Sequence, residues 1–506
     1  MKRIFFVISL MIVALFVYTL IIVQYINYTN LRNIFPSAIV VIALEIITGL
    51  FALGITIKIL FKQSYAYKKS HWILLMLINP IIGITLYIIF ARDYRTKRLE
   101  RTRPMIANKE FIKFEEITSP QFPENEIGSI FKYIHDITKR SIYENDTLVE
   151  VLNNGDEFFP RLIEEIKNAK DYIMMEFYII KTDNIGCQIL DLLKEKAMSG
   201  LDVYLLYDHF GSNKFLDRTT MSSVIASGVK VAVFDPQAIS FFDSNVNFRN
   251  HRKATIIDGK VGFVGGINLG DEYNHQSPKF GFWRDSHVLI KGNGVTSIQN
   301  VFIKDWYYVK NEVLEKPLDK SIELFTGFFT VVESGPDFEN GLIKDIYLKM
   351  INSAKRSIRI VTPYLIIEPE MMTALKIAVQ SGVQIKILVP GKSDTKIAGF
   401  ATRSYYEALL SYGVEIYEYR DHFVHSKILV VDDIIASLGS VNFDPRSFHL
   451  NFEVTAIFSN DATNQVVQAM EFDLTQSTKI DINEWNRRGL LTRLIQGFIN
   501  LFSPLF

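Results

Sequence analysis

Residues 251–268 read HRKATIIDGKVGFVGGIN, and residues 425–442 read HSKILVVDDIIASLGSVN. Each is His, one residue, Lys, four residues, Asp, six residues, Gly, a small residue, one residue and Asn. The positions between stay largely apolar but otherwise differ freely. A spaced pattern written twice constrains the chain to build two similar units, each ending in the same short β-rich segment.

The flanking sequence extends the repeat. NAKDYIMMEFYII (168–180) answers SAKRSIRIVTPYLII (353–367), AMSGLDVYLLYD (197–208) answers AVQSGVQIKILVPG (378–391), and ASGVKVAVF (226–234) answers SYGVEIYEY (411–419). Each pair reads as a helix end followed by a β-rich run, with a Gly stop in the second and third pairs and a Tyr at the strand exit in the first. The period of roughly 175–185 residues is that of a duplicated domain, not of a solenoid. The expected fold class is α/β, with tandem halves related by a pseudo-twofold axis.

On a strand, residues two apart project to one face. His251 shares a face with Lys253, and His425 with Lys427. Asp258 and Asp432 lie an odd number of places further on and point the other way, as expected of residues that hold a turn. Gly265, Gly266, Gly439 and Ser440 permit close backbone approach, and Asn268 and Asn442 bring amide donors. Packed face to face, the halves would pool two imidazoles, two ammonium groups and two amides. That set suits a phosphodiester. The lysines stabilise negative oxygens, one His attacks phosphorus, and the other exchanges protons with the leaving and entering hydroxyls. No metal or cofactor is called for, because the lysines supply the charge. The pattern is symmetric as to which His attacks.

The chain has 506 residues, too many for one ordinary core. Its formal charge is +0, which gives no global argument for nucleic acid. A single cysteine, Cys187, excludes an intrachain disulfide. Hydrophobic residues make up 48%, with the excess at the start. Ile4 to Val23 is an uninterrupted apolar run of spanning length, and Ala38 to Ile57 is a second, broken by Glu45. Glu45 is expected to stay protonated and bond a neighbouring helix. A third run, Trp72 to Phe90, contains Pro80 and Gly83 and has lysines before it and a basic cluster from Arg92 to Arg103 after it. Both basic flanks reach the cytoplasm only if this run is re-entrant or interfacial. The body would then be cytoplasmic, on a multi-pass cell membrane protein.

These residues resemble the phospholipase D superfamily, and within it the bacterial cardiolipin synthases. The likeness is carried by RNHRKATIIDGKVGFVGGINLGDEY (249–273), FWRDSHVLIKGNGV (282–295), VTPYLI (361–366), GSVNFDPRSFHLNFE (439–453) and NPIIGITLYIIF (79–90). It implies one active site between two mixed-sheet halves. It also implies that the acidic residue after each motif, Asp285 or Glu453, orients a catalytic His, and that His251 attacks while His425 is the acid/base. The implied reaction moves a phosphatidyl group between two phosphatidylglycerol molecules, giving cardiolipin and glycerol.

The resulting expectation has two transmembrane helices (1–65), an interfacial segment (66–110), two catalytic halves (111–318 and 319–485) and an amphipathic C-terminal helix (486–506). The expected catalytic set is His251, Lys253, Asp258, His425, Lys427 and Asp432. Asn268, Asn442, Asp285, Glu453, Gly266 and Ser440 support it. The expected partners are phosphatidylglycerol and other anionic membrane lipids, not nucleic acid. A hydrolytic phospholipase or phosphodiesterase is the alternative. Two further readings concern lipid contact: the aromatic residues in FFDSNVNF (241–248) either dip toward acyl chains or pack, and RRGLLTRLIQGFINLFSPLF (487–506) lies on an anionic surface or docks on the protein.

Overall fold

A computed structural model of the chain describes residues 38–61, 66–90, 120–234, 248–277, 281–317, 325–338, 341–420 and 422–501. The chain divides into a small N-terminal unit and a large body.

The N-terminal unit contains helices α1 (Ala38–Phe61), α2 (Ala66–Ile78) and α3 (Pro80–Phe90). The third apolar run is therefore two helices. Pro80 opens α3, where its missing N–H costs nothing, and the Asn79 side chain accepts from the Ile82 amide at 3.0 Å. The chain folds back so tightly that a Cβ on Gly83 would lie 2.7 Å from the Met76 Cα. Trp72 and Tyr87 meet edge to face at 5.5 Å across this hairpin. Ala52, Ile59, Met76 and Tyr87 form the unit's core. Among the described residues, no helix is long and apolar enough to cross a membrane. The expected first span, the Arg92–Arg103 cluster and the Glu45 side chain lie outside the described residues.

The body holds two sheets of the same design. In the first half the strands are β1 (Thr147–Asn153), β2 (Tyr172–Phe177), β3 (Asp202–Asp208), β4 (Lys230–Phe234), β5 (Lys253–Ile257), β6 (Val261–Gly265) and β7 (Ser286–Gly292). Their spatial order is β1-β7-β6-β5-β2-β3-β4. Strands β2, β3 and β4 are parallel, joined by helices Asn184–Met198 and Arg218–Ala226, and the remaining pairings are antiparallel.

The second half has β8 (Phe328–Ser334), β9 (Ser357–Val361), β10 (Gln384–Pro390), β11 (Glu415–Tyr419), β12 (Ile428–Val431), β13 (Ile435–Gly439) and β14 (Glu453–Ser459). Their order, β8-β14-β13-β12-β9-β10-β11, repeats the first, with one short strand added at each edge. The helix stops foreseen before β4 and β11 are Gly228 and Gly413, with φ of 98° and 99° that other residues rarely adopt.

Each sheet is covered by its own apolar core. Phe158, Leu162, Ile189 and Leu193 pack on the first, and Ile346, Met350, Leu375 and Leu409 on the second. Both faces of β2 are buried, so it reads as YIMMEF without polar alternation. Phe241 to Asn247 lie outside the described residues, and Phe248 packs in the interior, 5% exposed.

Candidate active site

The two histidines sit just ahead of β5 and β12, on segments that cross to the opposite half. His251 N–H donates to the Phe452 carbonyl at 2.9 Å, and Phe452 N–H donates to the Arg249 carbonyl at 2.8 Å. Reciprocally, Phe423–Val424 pairs in parallel with Trp283–Arg284, and His425 N–H donates to the Arg284 carbonyl at 2.7 Å. Each His is thus clamped to the residue immediately before the other half's acid.

This swap sets the side-chain partners. His251 Nδ1 lies 3.0 Å from both carboxylate oxygens of Glu453, and His425 Nδ1 lies 2.7 Å from Asp285 Oδ2. The carboxylate following each motif serves the His of the other motif. Both carboxylates are fully buried, while the imidazoles keep 12% and 10% of their surface open. With Nδ1–H directed at a carboxylate, Nε2 is left as the reactive nitrogen.

Lys253 donates from Nζ to the His251 carbonyl at 2.6 Å, and Lys427 bonds the His425 carbonyl in the same way. An ammonium has three donors, so each lysine retains capacity for an anionic ligand. Burial, foremost, lowers Lys253 to about 7 and Lys427 to about 8, against the pull of Glu453 and Asp285. Burial also lowers His251 to about 4, with Glu453 opposing and Lys253 reinforcing, and lowers His425 to about 3. Burial resists ionisation of Asp285, yet His425 and Lys427 outweigh it and hold that carboxyl well below the usual range. At neutral pH the free site therefore contains neutral imidazoles, ionised carboxylates and lysines poised to charge fully when an anion arrives.

Asp258 and Asp432 belong to the repeated pattern but not to this pocket, which corrects their place in the expected catalytic set. Five residues of strand at about 3.3 Å each carry Asp258 to the far end of β5. There its carboxylate accepts from the amides of Lys170, Asp171 and Tyr172 at 2.8, 2.8 and 2.9 Å. Asp432 does the same for Lys355, Arg356 and Ser357 at 2.8, 2.7 and 2.8 Å. Both hold the turn, pinning the hairpin to the start of the neighbouring strand.

The asparagines and glycines also differ from expectation. Asn268 is 1% exposed and spends its amide on Ile179 N–H at 3.0 Å and the Tyr273 hydroxyl at 2.9 Å. Asn442 hydrogen-bonds Asp444, and its Oδ1 is buried without a partner among the described residues. Gly266 does not make room for a ligand. A Cβ there would lie 2.2 Å from Asp285 Oδ1, so the missing side chain leaves space for the carboxylate. In the other half Ser440 occupies the matching position, and its hydroxyl donates to Glu453 at 2.5 Å. Asn451 adds a bond to Glu453 at 3.2 Å.

Several residues of the site were not singled out from the sequence. Tyr178 meets the His251 ring edge to face at 5.0 Å, and Lys253 Nζ stands 5.4 Å from its centroid. His425 lies among Trp283, Phe423 and Tyr273, at 5.4, 5.8 and 6.2 Å. Arg252, 2% exposed, ties Asp305 to the Glu453 carbonyl, the latter at 3.1 Å. Arg284 Nε bonds Asp473 at 2.7 Å. The strand-exit tyrosines and the family-like stretches 249–273 and 282–295, which contain Arg252, Tyr273, Trp283 and Arg284, carried the sequence signal for this surround.

The family model "Cardiolipin synthase, PLD-like domain" matches residues 162–306 and 347–474, which include both histidines, both lysines and both acids of the pocket and leave out β1 and β8. The chain belongs to the cardiolipin synthase family. It is 40% identical over 450 residues to a cardiolipin synthase of Geobacillus sp. (strain WCH70), spanning 87% of this chain and 89% of that one. It is 36% identical over 459 residues to cardiolipin synthase 2 of Bacillus anthracis, spanning 88% of each. A phosphatidylserine synthase of Haemophilus influenzae Rd KW20 shares the fold, with a TM-score of 0.56 at 17% identity over 76% of this chain and all of that one.

Proposed function

We propose that the chain transfers a phosphatidyl group from one phosphatidylglycerol to the terminal hydroxyl of another, releasing glycerol and forming cardiolipin. The observation that supports this most is the crossed pairing of two buried histidines with the acids of opposite halves, beside two lysines. It makes one pocket from two equivalent faces, with a nucleophile on one side of phosphorus and a proton carrier on the other.

In the first step His251 Nε2 forms a bond to phosphorus and the bond to the glycerol oxygen breaks. Glu453 stabilises the growing positive charge on the ring through Nδ1–H. His425 gives its Nε2 proton to the departing oxygen. It acquires that proton when the phosphodiester anion enters, since added negative charge raises the affinity of a neighbouring imidazole for a proton. In the second step His425 removes a proton from the acceptor hydroxyl, which attacks phosphorus and displaces His251. Lys253 and Lys427 carry the charge on the non-bridging oxygens in both steps. Activity should accordingly persist under prolonged chelation.

The N-terminal unit is read as the membrane attachment. Ile47, Leu50, Phe51, Phe61 and Ile78 are 63, 62, 56, 82 and 68% exposed, an apolar surface that water does not favour. With α2 and α3 as a hairpin that returns to one side, the body is cytoplasmic. Protease added outside sealed right-side-out vesicles should spare it.

The deciding experiment supplies the full-length protein with phosphatidylglycerol alone. Cardiolipin and glycerol should appear in about equal amounts, and excess glycerol should reverse the reaction because no phosphodiester bond is gained or lost. Phosphatidic acid as the dominant product at every lipid density would make the enzyme a hydrolase.

A further inference from the structure

The C-terminal helix is docked with most of its apolar residues turned outward. In Leu490–Leu501 the buried residue is the polar Gln496, with Thr492, Ile495, Ile499 and Asn500 half-buried beside it. Gln496 is 3% exposed and accepts from Arg488 Nε at 2.9 Å, and Asn500 Nδ2 donates to Ser404 Oγ at 2.8 Å. Arg488 also reaches Glu407 at 2.6 Å. Leu490, Leu491, Leu494, Phe498 and Leu501 point outward, 73, 71, 62, 63 and 58% exposed. A helix that docks on a protein core ordinarily presents the opposite face.

Charge selects the occupant of this surface. Residues 487–506 contain Arg487, Arg488 and Arg493 and no acidic residue. Arg488 and Arg493 share one acid, Glu407, at 2.6 and 3.8 Å, so the flank keeps a net positive charge, and an apolar stripe beside it matches the boundary between anionic headgroups and acyl chains. The helix is also connected to the pocket. Ser404 ends the helix Lys396–Ser404, and Asp394, just before its cap, accepts from the Tyr364 hydroxyl at 2.6 Å. Tyr364 is the second-half counterpart of Tyr178, which touches His251. Ile397, in the first turn of the same helix, is 55% exposed.

We infer that Leu490–Leu501 is a second membrane contact, made by the catalytic body itself, in which the apolar stripe enters an anionic bilayer and holds the second-half side of the pocket against its lipid substrate. This goes beyond the proposed reaction and is testable without measuring turnover.

The full-length protein with Cys187→Ser and Phe498→Cys is labelled at position 498 with an environment-sensitive fluorophore and reconstituted into phosphatidylglycerol–phosphatidylcholine vesicles. Nitroxide on the acyl chains should quench roughly half or more of its emission, while aqueous iodide should not. A label at Lys132→Cys, an exposed polar site, should show the reverse. Quenching at 498 by iodide alone would mean a solvated face. Shielding from both quenchers would mean that a second copy or another part of this chain covers it. Either result overturns the inference. In a second arm, Leu490→Ser, Leu491→Ser and Leu494→Ser are combined. Because these side chains are exposed, the melting temperature should not fall. The rate on phosphatidylglycerol vesicles should drop about fivefold through KM, with the rate on detergent-dispersed lipid unchanged. An unchanged vesicle rate would also overturn the inference, whereas loss of both rates together with a lower melting temperature would show that the face packs on protein.

Discussion

The two halves of the body use one strand order, one turn-holding aspartate and one His-x-Lys face, yet they surround their histidines differently. His251 answers to Glu453, which also receives the Ser440 hydroxyl and the Asn451 amide. His425 answers to the shorter Asp285, at a place where Gly266 supplies no hydroxyl. Among the described residues, His251 has one aromatic neighbour, Tyr178, while His425 sits among Trp283, Phe423 and Tyr273. Two positions before each His, the first half has Arg249 and the second has Phe423. A fold repeated by duplication thus fixes where the reactive groups stand, and the residues one layer out make the two sides chemically unequal. That inequality would underlie the proposed division of labour between attack on phosphorus and proton transfer.

The largest expected effect tests that division. His251→Ala should lose about 10⁴-fold or more in turnover, with expression and folding intact. His425→Ala should lose as much on phosphatidylglycerol but recover much of it on an analogue with a p-nitrophenol leaving group, which needs no acid. If His251→Ala is the variant rescued by that analogue, the roles of the halves are exchanged.

Next come the crossed carboxylates. Glu453→Gln and Asp285→Asn should each cost on the order of 10²- to 10⁴-fold, as when a histidine loses the acid that orients it. The crossing predicts that Asp285→Asn, not Glu453→Gln, is the one relieved by an activated leaving group. Relief of Glu453→Gln instead would separate the structural pairing from the functional one.

The pH dependence distinguishes the lysines from the histidines. Lys253 is charged below about 7 and His251 is neutral above about 4. The ratio kcat/KM, which reports the free enzyme, should therefore fall as pH rises through 7 to 8 and hold on the acid side down to about 4 or 5. The alkaline limb of kcat should lie higher, because bound phosphodiester keeps the ammonium charged. Coincident alkaline limbs would remove the lysines from contact with the anion.

A smaller effect is expected at Ser440→Gly, which gives the second half the geometry of the first. One hydrogen bond to a carboxylate is worth about 1.5–3 kcal/mol at most, and Asn451 still holds Glu453. Turnover should fall by roughly tenfold or less. Smallest of all for catalysis are Asp258→Asn and Asp432→Asn. Turnover per folded molecule should stay near the parent's, while the melting temperature drops, more for the buried Asp432 than for Asp258. A catalytic loss without a stability loss would return these aspartates to the active site.

Much of this arrangement was legible before any coordinates. Period-two projection paired His with Lys and turned Asp258 and Asp432 away, where they bind backbone amides, so placing these aspartates in the catalytic set went against that geometry. The Gly stops before β4 and β11 and the broken third apolar run were likewise visible, because Gly and Pro restrict the backbone locally. Asn268 was misjudged because a side-chain amide suits either a ligand or a loop, and only its neighbours Ile179 and Tyr273 decide. Gly266 was misjudged for the same reason: an absent side chain leaves space without saying what fills it.

The amino-acid sequence by itself determined the duplication, the two β-rich halves and the face that each His shares with its Lys, since all of these follow from periodicity and local stereochemistry. The tertiary structure alone decided that each histidine is held by the other half's acid, that the lysines bond their own histidines' carbonyls, and that the C-terminal helix turns its apolar side outward. These are relations between residues far apart in the chain. They depend on how two folded surfaces meet, and local spacing carries no record of that meeting.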